Sequence, residues 1–280
     1  IIPDKTRDDN TDLLFPFAAK ALQERGVEKL DVLVAQGTHS PMTEAEKLRK
    51  IGADKGNVPL NVGYIYDHQW NKPEELTTIG ELSSDQVREI TGELIRDSVS
   101  LSVNRLLTPG IYDTVLIFGA TVPHEVAGFA GGAKYFFPGV AGPELTHATH
   151  WLGALATIEQ TIGRIETPTR HLIEAAADKL TQNVVCFTTV VSRTDDKRLR
   201  THALFAGDFR QSLRSAAEIS AQIHIKTVDR LYKCVIAILD ERYDEMWVGG
   251  KASYKLGGII EQGGELIIYA PRLNALSKTH

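Results

Sequence analysis

Short apolar runs alternate along this chain with stretches in which apolar positions recur at helical spacing. The runs favour strands and the amphipathic stretches favour helices. The predicted strands are Leu30–Ala35, Val62–Tyr66, Val99–Val103, Thr114–Phe118, Val184–Val191, Cys234–Leu239 and Glu265–Tyr269, with another already in progress at Ile1. The predicted helices are Thr11–Glu24, Thr43–Ile51, Pro143–Leu155, Thr169–Leu180, Asp208–Ile223 and Lys251–Glu261. This alternation predicts an α/β fold with largely parallel strands.

The chain has 280 residues, which is close to two domains at about 150 residues each. We predict an α/β fold of two domains, with Rossmann-like, mostly parallel sheets and the active site in the interdomain cleft. Residues 1–215 are assigned to an N-terminal catalytic and cofactor-binding domain, and residues 216–280 to part of a second α/β domain. We expect the chain to be incomplete at both ends.

Composition narrows the classes of partner. The 31 basic and 36 acidic residues give a net charge of −5 and are interspersed, so that no basic, aromatic-rich block predicts nucleic-acid binding. Apolar runs are too short to predict a membrane span. Cys186 and Cys234 lie in apolar runs, where we expect buried, reduced thiols, as is typical of a cytoplasmic protein. The oligomeric state is not predicted.

A glycine-rich segment, residues 123–142, follows the strand Thr114–Phe118, and ligands bind at such strand ends in open α/β sheets. Its Lys134 lies between small residues and an aromatic cluster, where partial desolvation lowers the pKa of the amine. The alternative is a surface lysine in a glycine-rich turn. Ala133 and Tyr135 flank Lys134 where a P-loop needs glycine and Ser/Thr, and Gly128 stands where a zincin needs its second histidine.

Several other polar residues follow strand ends. His39 lies in a loop after a strand, and Asp4 and Arg7 follow the strand at Ile1. His147 and His150 are three residues apart and share a helix face, which suits either a metal ligand or a plain polar surface. Imidazoles together with an activated amine and a guanidinium suit acid–base chemistry on a small anion, whose carboxylate arginine can hold.

Three of these segments resemble the nickel-dependent lactate racemase family of 2-hydroxyacid racemases and epimerases. They are Asp4-Lys5-Thr6-Arg7, Gly37-Thr38-His39-Ser40-Pro41-Met42-Thr43, and the segment from Pro123 to Gly142 continuing to His150. The order of these segments and the spacings His124–Lys134 and Lys134–His150 also match. The resemblance covers the chain to about residue 150 and is weaker beyond.

The resemblance implies a nickel cofactor, the nickel pincer nucleotide (pyridinium-3-thioamide-5-thiocarboxylic acid mononucleotide). It implies these roles: Lys134 linked to the cofactor, His150 as nickel ligand, His39 and His124 as acid–base catalysts, Asp4 near the cofactor, and Arg7 with Lys251 at the substrate. Lys255 is a competitor of Lys251, and a role for His147 stays open. The implied partners are a small 2-hydroxycarboxylate and the proteins that synthesise the cofactor.

The implied reaction inverts C2 of a 2-hydroxycarboxylate by reversible hydride transfer to the cofactor, which avoids a carbanion beside a carboxylate. The segment Met246-Trp247-Val248-Gly249-Gly250-Lys251 departs from the aromatic-plus-amide pair expected of members that act on lactate. Its glycines predict room for a larger substrate, such as a sugar acid or hydroxy-dicarboxylate. The alternatives are lactate racemase proper, a metal-free Schiff-base lyase using Lys134, and a nickel- or nucleotide-binding carrier, which would not need the pair His39 and His124.

Overall fold

The computed structural model describes residues 1–55, 61–196, 198–240 and 243–277. Within these ranges the strands are β1 (Ile2–Pro3), β2 (Leu30–Ala35), β3 (Val62–Asp67), β4 (Leu76–Leu82), β5 (Val99–Asn104), β6 (Thr114–Ala120), β7 (Pro123–His124), β8 (Gly128–Phe129), β9 (Asn183–Arg193), β10 (Leu199–Gly207), β11 (Tyr232–Ile238) and β12 (Ile260–Tyr269). The helices are α1 (Thr11–Gln23), α2 (Glu44–Lys50), α3 (Ser84–Thr91), α4 (Pro143–Leu155), α5 (Pro168–Ala177), α6 (Phe209–His224), α7 (Met246–Gly249) and α8 (Lys251–Leu256).

The central strands form two three-stranded sheets that lie side by side. Their orders are β1-β2-β3 and β10-β9-β6, and all pairs except β9 with β10 are parallel. The Ile1 nitrogen donates to the Leu116 carbonyl oxygen at 2.6 Å, and the Phe118 N–H donates to the Ile1 oxygen at 3.0 Å. This is the parallel pattern of hydrogen bonds, so β1 and β6 run in the same direction and their carboxyl ends meet at one edge.

The remaining strands form pairs outside this sheet. β4 with β5 and β7 with β8 are antiparallel, whereas β11 and β12 are parallel. The predicted α/β class with mostly parallel sheets is therefore confirmed. None of the helices in the described part of the chain is both long and apolar enough to cross a bilayer.

Most predicted elements are present, with shifts at their ends. The predicted helix Lys251–Glu261 is wrong in its second half, because α8 stops at Leu256 before a glycine pair and β12 already begins at Ile260. The short elements β7, β8 and α7 were not predicted, nor were helix α3 and strands β4 and β10. β4 has an interior glycine and β10 ends in one, and both contain polar residues, which weakens the apolar signal of a strand.

The burial of the two cysteines and the predicted domain boundary can also be compared with the structure. Cys186 is buried as expected, but the prediction for Cys234 is wrong, because it lies on an exposed face of β11. The predicted boundary between residues 215 and 216 falls within α6. Residues 241–242 and 278–280 of the predicted second unit lie outside the described residues, and the division into two domains stays a prediction.

Helices cover both faces of the central strands. On one face, Phe15 of α1 packs edge-on against Phe118 of β6, with ring centroids 5.8 Å apart. On the other, Leu145 and Leu152 of α4 share a buried cluster with Ile117 of β6. With both faces covered, ligands have access at the sheet edge where the strands end.

A buried histidine joins four segments beneath that edge. His68 follows β3 and is fully buried, and its Nε2–H donates to the Ala141 carbonyl oxygen at 2.8 Å. Its Nδ1 lies 3.3 Å from the Asn104 amide nitrogen, and its own carbonyl oxygen accepts from the Gln36 amide at 2.8 Å. Burial lowers the pKa of His68 to about 4, so the ring is neutral in the folded protein.

This histidine makes the fold sensitive to acid. Below its ordinary pKa of 6.5, the unfolded chain binds a proton at His68 that the folded chain does not, so stability is lost as pH falls from there toward 4. The loss from this group at about pH 5 is about 2 kcal/mol. In His68→Gln, the free energy of unfolding by urea should therefore differ between about pH 7.5 and about pH 5 by about 2 kcal/mol less than in the wild type. An equal pH dependence in both proteins would contradict this assignment.

Candidate active site

One cavity of about 630 Å³ opens at the sheet edge where β1, β2 and β6 end. Loops that follow these parallel strands form much of its wall, together with α4 and the segment around α8. The residues predicted for the site that line it are Asp4, Arg7, His39, His124, Lys134, His150 and Lys251. Residues far apart in the sequence are thus brought to one place, and their roles can be weighed from geometry.

The first pair in this cavity is Asp4 with His39. Asp4 is 3% exposed, and one of its oxygens accepts from the Thr6 backbone N–H at 2.7 Å and from the Thr6 hydroxyl at 2.6 Å. Its other oxygen accepts from His39 Nδ1–H at 2.8 Å. Burial alone would raise the pKa of Asp4, but these hydrogen bonds and the Arg7 charge hold it well below its ordinary value. His39 is therefore oriented by a carboxylate, with Nε2 left as a proton acceptor.

The second histidine has the opposite proton arrangement. His124 ends β7 and is buried, and its Nδ1 accepts the Val126 backbone N–H at 3.1 Å. Because Nδ1 is the acceptor, the neutral ring carries its proton on Nε2. Burial, and then the charge of Lys134, lower the pKa of His124 well below its ordinary value. His124 is thus a neutral ring with an Nε2–H to donate.

The glycine-rich segment packs as part of the core. Gly128 has φ +77°, and a Cβ there would lie 1.8 Å from the Arg164 carbonyl oxygen. The fully buried Arg170 donates from its guanidinium to the carbonyl oxygens of Ala127, Phe129 and Gly131. These bonds fix the path of the chain just before Lys134.

Lys134 lies at the cavity wall near other positive charges. It lies in a short 3-10 turn, residues 132–135, followed by the fully buried Phe136 and Phe137. Burial lowers the pKa of Lys134 to about 7, helped by the charges of Arg7 and Lys251. A large share of this amine is therefore unprotonated and nucleophilic near neutral pH.

Of the two histidines on α4, only His150 lines the cavity. His150 of α4 lines the cavity, and its Nδ1–H donates to the Thr146 carbonyl oxygen at 2.7 Å, which leaves Nε2 free as a ligand. His147 instead makes an edge-on ring contact with Trp70 at 5.8 Å and is not among the cavity residues. No three His, Cys, Asp or Glu residues in the described chain are grouped to hold a metal.

Lys251 and Lys255, the two candidates for binding the substrate, also differ in their position relative to the cavity. Lys251 lines the main cavity, whereas Lys255 reaches only a side pocket of about 70 Å³ that Lys251 also lines. Lys251 Nζ donates to Glu125 Oε1 at 2.6 Å. Glu125 was missed at the sequence level, where its one signal is its position directly after His124.

The cavity as a whole suits a small anion that undergoes proton transfer. It offers one histidine with a free Nε2 acceptor and one with an Nε2–H hydrogen-bond donor, beside Arg7, Lys251 and the amine of Lys134. A base, a hydrogen-bond donor and cations in one cavity suit acid–base chemistry on a carboxylate.

Comparisons with known proteins show similarity to lactate racemases. The family model for the lactate racemase N-terminal domain matches residues 1–163. The lactate racemase of Lactiplantibacillus plantarum is 27% identical over 151 residues, which cover 54% of this chain and 31% of that protein. The chain thus spans about a third of the length of this curated relative.

Two solved structures share the fold. A protein from Thermotoga maritima is 32% identical, with a TM-score of 0.87 over 97% of this chain and 66% of its own. The lactate racemase apoprotein from Thermoanaerobacterium thermosaccharolyticum is 21% identical, with a TM-score of 0.70 over 97% of this chain and 60% of its own; at that identity the likeness shows the fold alone. Because the family model matches 163 of its 280 residues, the chain belongs to the lactate racemase family.

Proposed function

We propose that this chain carries the cofactor site and the acid–base pair of a racemase or epimerase that inverts C2 of a 2-hydroxycarboxylate. The observation that carries the proposal is the placement of two histidines with opposite proton arrangements, His39 and His124, in one cavity with the activated amine of Lys134. Membership of the lactate racemase family supports it. A plain binding protein would have no need of such a pair.

The residues present fit a nickel pincer nucleotide. Lys134 is a buried, nucleophilic amine suited to a covalent link, and His150 presents a free Nε2 for nickel. One protein ligand suffices if the nucleotide supplies the rest, which agrees with the absence of a three-residue metal cluster among the described residues. When bound, this cofactor supplies a hydride acceptor, so that inversion needs no carbanion.

The protein's own part is to move the hydroxyl proton. His39 Nε2 accepts this proton from one enantiomer, and the Asp4 carboxylate stabilises the imidazolium that forms. In the arrangement seen here, His124 Nε2–H can hydrogen-bond to the hydroxyl oxygen but does not give up its proton, because the neutral ring would become an imidazolate. It can accept a proton from the other enantiomer only in the tautomer that gives up the hydrogen bond from Val126.

Two cations bind the carboxylate of the substrate. Arg7 and Lys251 line the cavity that holds both histidines, and the charge of Arg7 lowers the pKa of Lys251 and of Lys134, which places these groups close together. An anion between them relieves this repulsion, and the guanidinium can hold a carboxylate through two N–H groups. Orientation by the carboxylate leaves C2 and its hydroxyl to react.

The size of the substrate needs a different argument from the one that the sequence suggests. A Cβ on Gly249 would face Leu239 and Leu273, and neither Gly249 nor Gly250 lines the cavity, so these glycines do not make room for a substrate. Support for a substrate larger than lactate comes instead from Thr157 and Glu159, which line the cavity and can hydrogen-bond additional hydroxyl groups. A sugar acid fits this better than lactate.

We expect the cofactor-loaded protein to turn over gluconate faster than lactate. Formation of the other enantiomer from lactate and of the C2 epimer from gluconate, each followed by chiral chromatography, measures both rates. A clear preference for lactate would remove the larger substrate and leave lactate racemase proper. No inversion of either compound would count against the racemase itself.

The metal-free Schiff-base lyase remains the second candidate, favoured by the pKa of about 7 at Lys134. Such an enzyme would be trapped irreversibly by borohydride in the presence of a keto acid and would need no nickel. A racemase is not inactivated in this way.

Removing the charge that orients His39 should cost activity without loss of binding. In Asp4→Asn we expect kcat to fall by about 10²- to 10⁴-fold with little change in KM, since the imidazolium loses its stabilising carboxylate. Thr6→Val removes one hydrogen bond to Asp4 but leaves its charge, and should lower kcat less than about tenfold. Similar effects of both substitutions would contradict the role of Asp4, and steady-state kinetics decides between them.

A further inference from the structure

The cavity contains one buried ion pair that proton transfer does not use. Lys251 Nζ lies 2.6 Å from Glu125 Oε1, and the two side chains are 17% and 11% exposed. Glu125 lies in the short loop between β7 and β8, whereas Lys251 begins α8. The pair therefore joins the loop that carries His124 to the segment around α8.

The surroundings of Lys251 make this carboxylate important. Burial favours the neutral amine, and the charges of Arg7 and Lys255 act in the same direction. Glu125 opposes them through both its charge and its hydrogen bond. Its own pKa would be raised by burial but is held well below its ordinary value by neighbouring positive charge and the bond from Lys251. Glu125 is therefore ionised at neutral pH.

An ammonium group has three N–H donors. The Glu125 carboxylate occupies one of them, which leaves two that can bind an anion in the cavity. The other oxygen of Glu125 lies 3.8 Å from His124 Nδ1, so the carboxylate also lies between this lysine and the second acid–base residue. The carboxylate thus contacts Lys251 and lies near the ring of His124.

We propose that Glu125 is a positioning residue that keeps the Lys251 ammonium charged and aimed at the carboxylate of the substrate. The claim that Lys251 binds the carboxylate of the substrate rests on the proposed function, whereas the claim that Glu125 acts on Lys251 does not. The first test therefore measures Lys251 directly, without any substrate.

The test is competitive labelling of lysines in the purified protein with trace acetic anhydride at a series of pH values, read by peptide mass spectrometry. In Glu125→Gln the labelling midpoint of Lys251 should fall by about 1 to 3 pH units. In Glu125→Asp, which keeps the charge, the midpoint of Lys251 should stay within about one unit of the wild type.

Glu159→Gln is the matched control, since it removes a negative charge from the same cavity at an exposed position. It should leave the midpoint of Lys251 unmoved. If Glu125→Gln also leaves it unmoved, or if Glu159→Gln moves it as far, the assignment of Glu125 is overturned.

A second readout ties Glu125 to turnover. With gluconate or lactate as probe, Glu125→Gln should raise KM by about 10- to 100-fold and lower kcat less. In a Lys251→Arg background, where the guanidinium stays charged without help, the same substitution should raise KM far less. An equal rise of KM in both backgrounds would contradict the proposal. A shifted Lys251 midpoint in a protein that acts on no 2-hydroxyacid would support the role of Glu125 and count against the proposed function.

Discussion

A primary amine with a lowered pKa, that of Lys134, is the group on which the proposed chemistry depends. Lys134 lines the cavity from a turn that is followed by the fully buried Phe136 and Phe137, so that its backbone is anchored in the core. The cost of burying its charge lowers its pKa to about 7 and makes it a nucleophile. The turn holds because Arg170 binds the carbonyl oxygens of the preceding residues. If this packing were loosened, the pKa of Lys134 would rise toward its ordinary value.

The parallel direction of the central strands brings the other polar residues to the cavity. Because β1, β2 and β6 run parallel, the residues that follow them meet at one edge, and Asp4, His39 and His124 come together there. The two histidines then differ through their partners. A carboxylate orients one ring and a backbone N–H orients the other, so that one ring presents an acceptor and the other a hydrogen-bond donor.

Which residues line the cavity could be predicted from the sequence, but their partners could not. Glycine-rich segments and histidines after strands carry local signals, and α2 begins at the capping box that Thr43 and Glu46 predict. By contrast, Glu125 contacts Lys251 only in the folded chain. A side chain at Gly249 would face Leu239 and Leu273 and not the cavity, which also depends on the fold. Residues with ordinary local patterns acquire a role from long-range contacts, which spacing along the chain does not encode.

The most direct test of the central claim is the intact mass and nickel content of this chain after co-expression with the proteins that build the pincer nucleotide. We predict a covalent adduct on the peptide that contains Lys134 and about one nickel per chain. His150→Ala should keep the adduct and lose most of the nickel, whereas Lys134→Arg should lose the adduct. A folded protein with neither adduct nor nickel would contradict the cofactor site and place the Schiff-base reaction of Lys134 first.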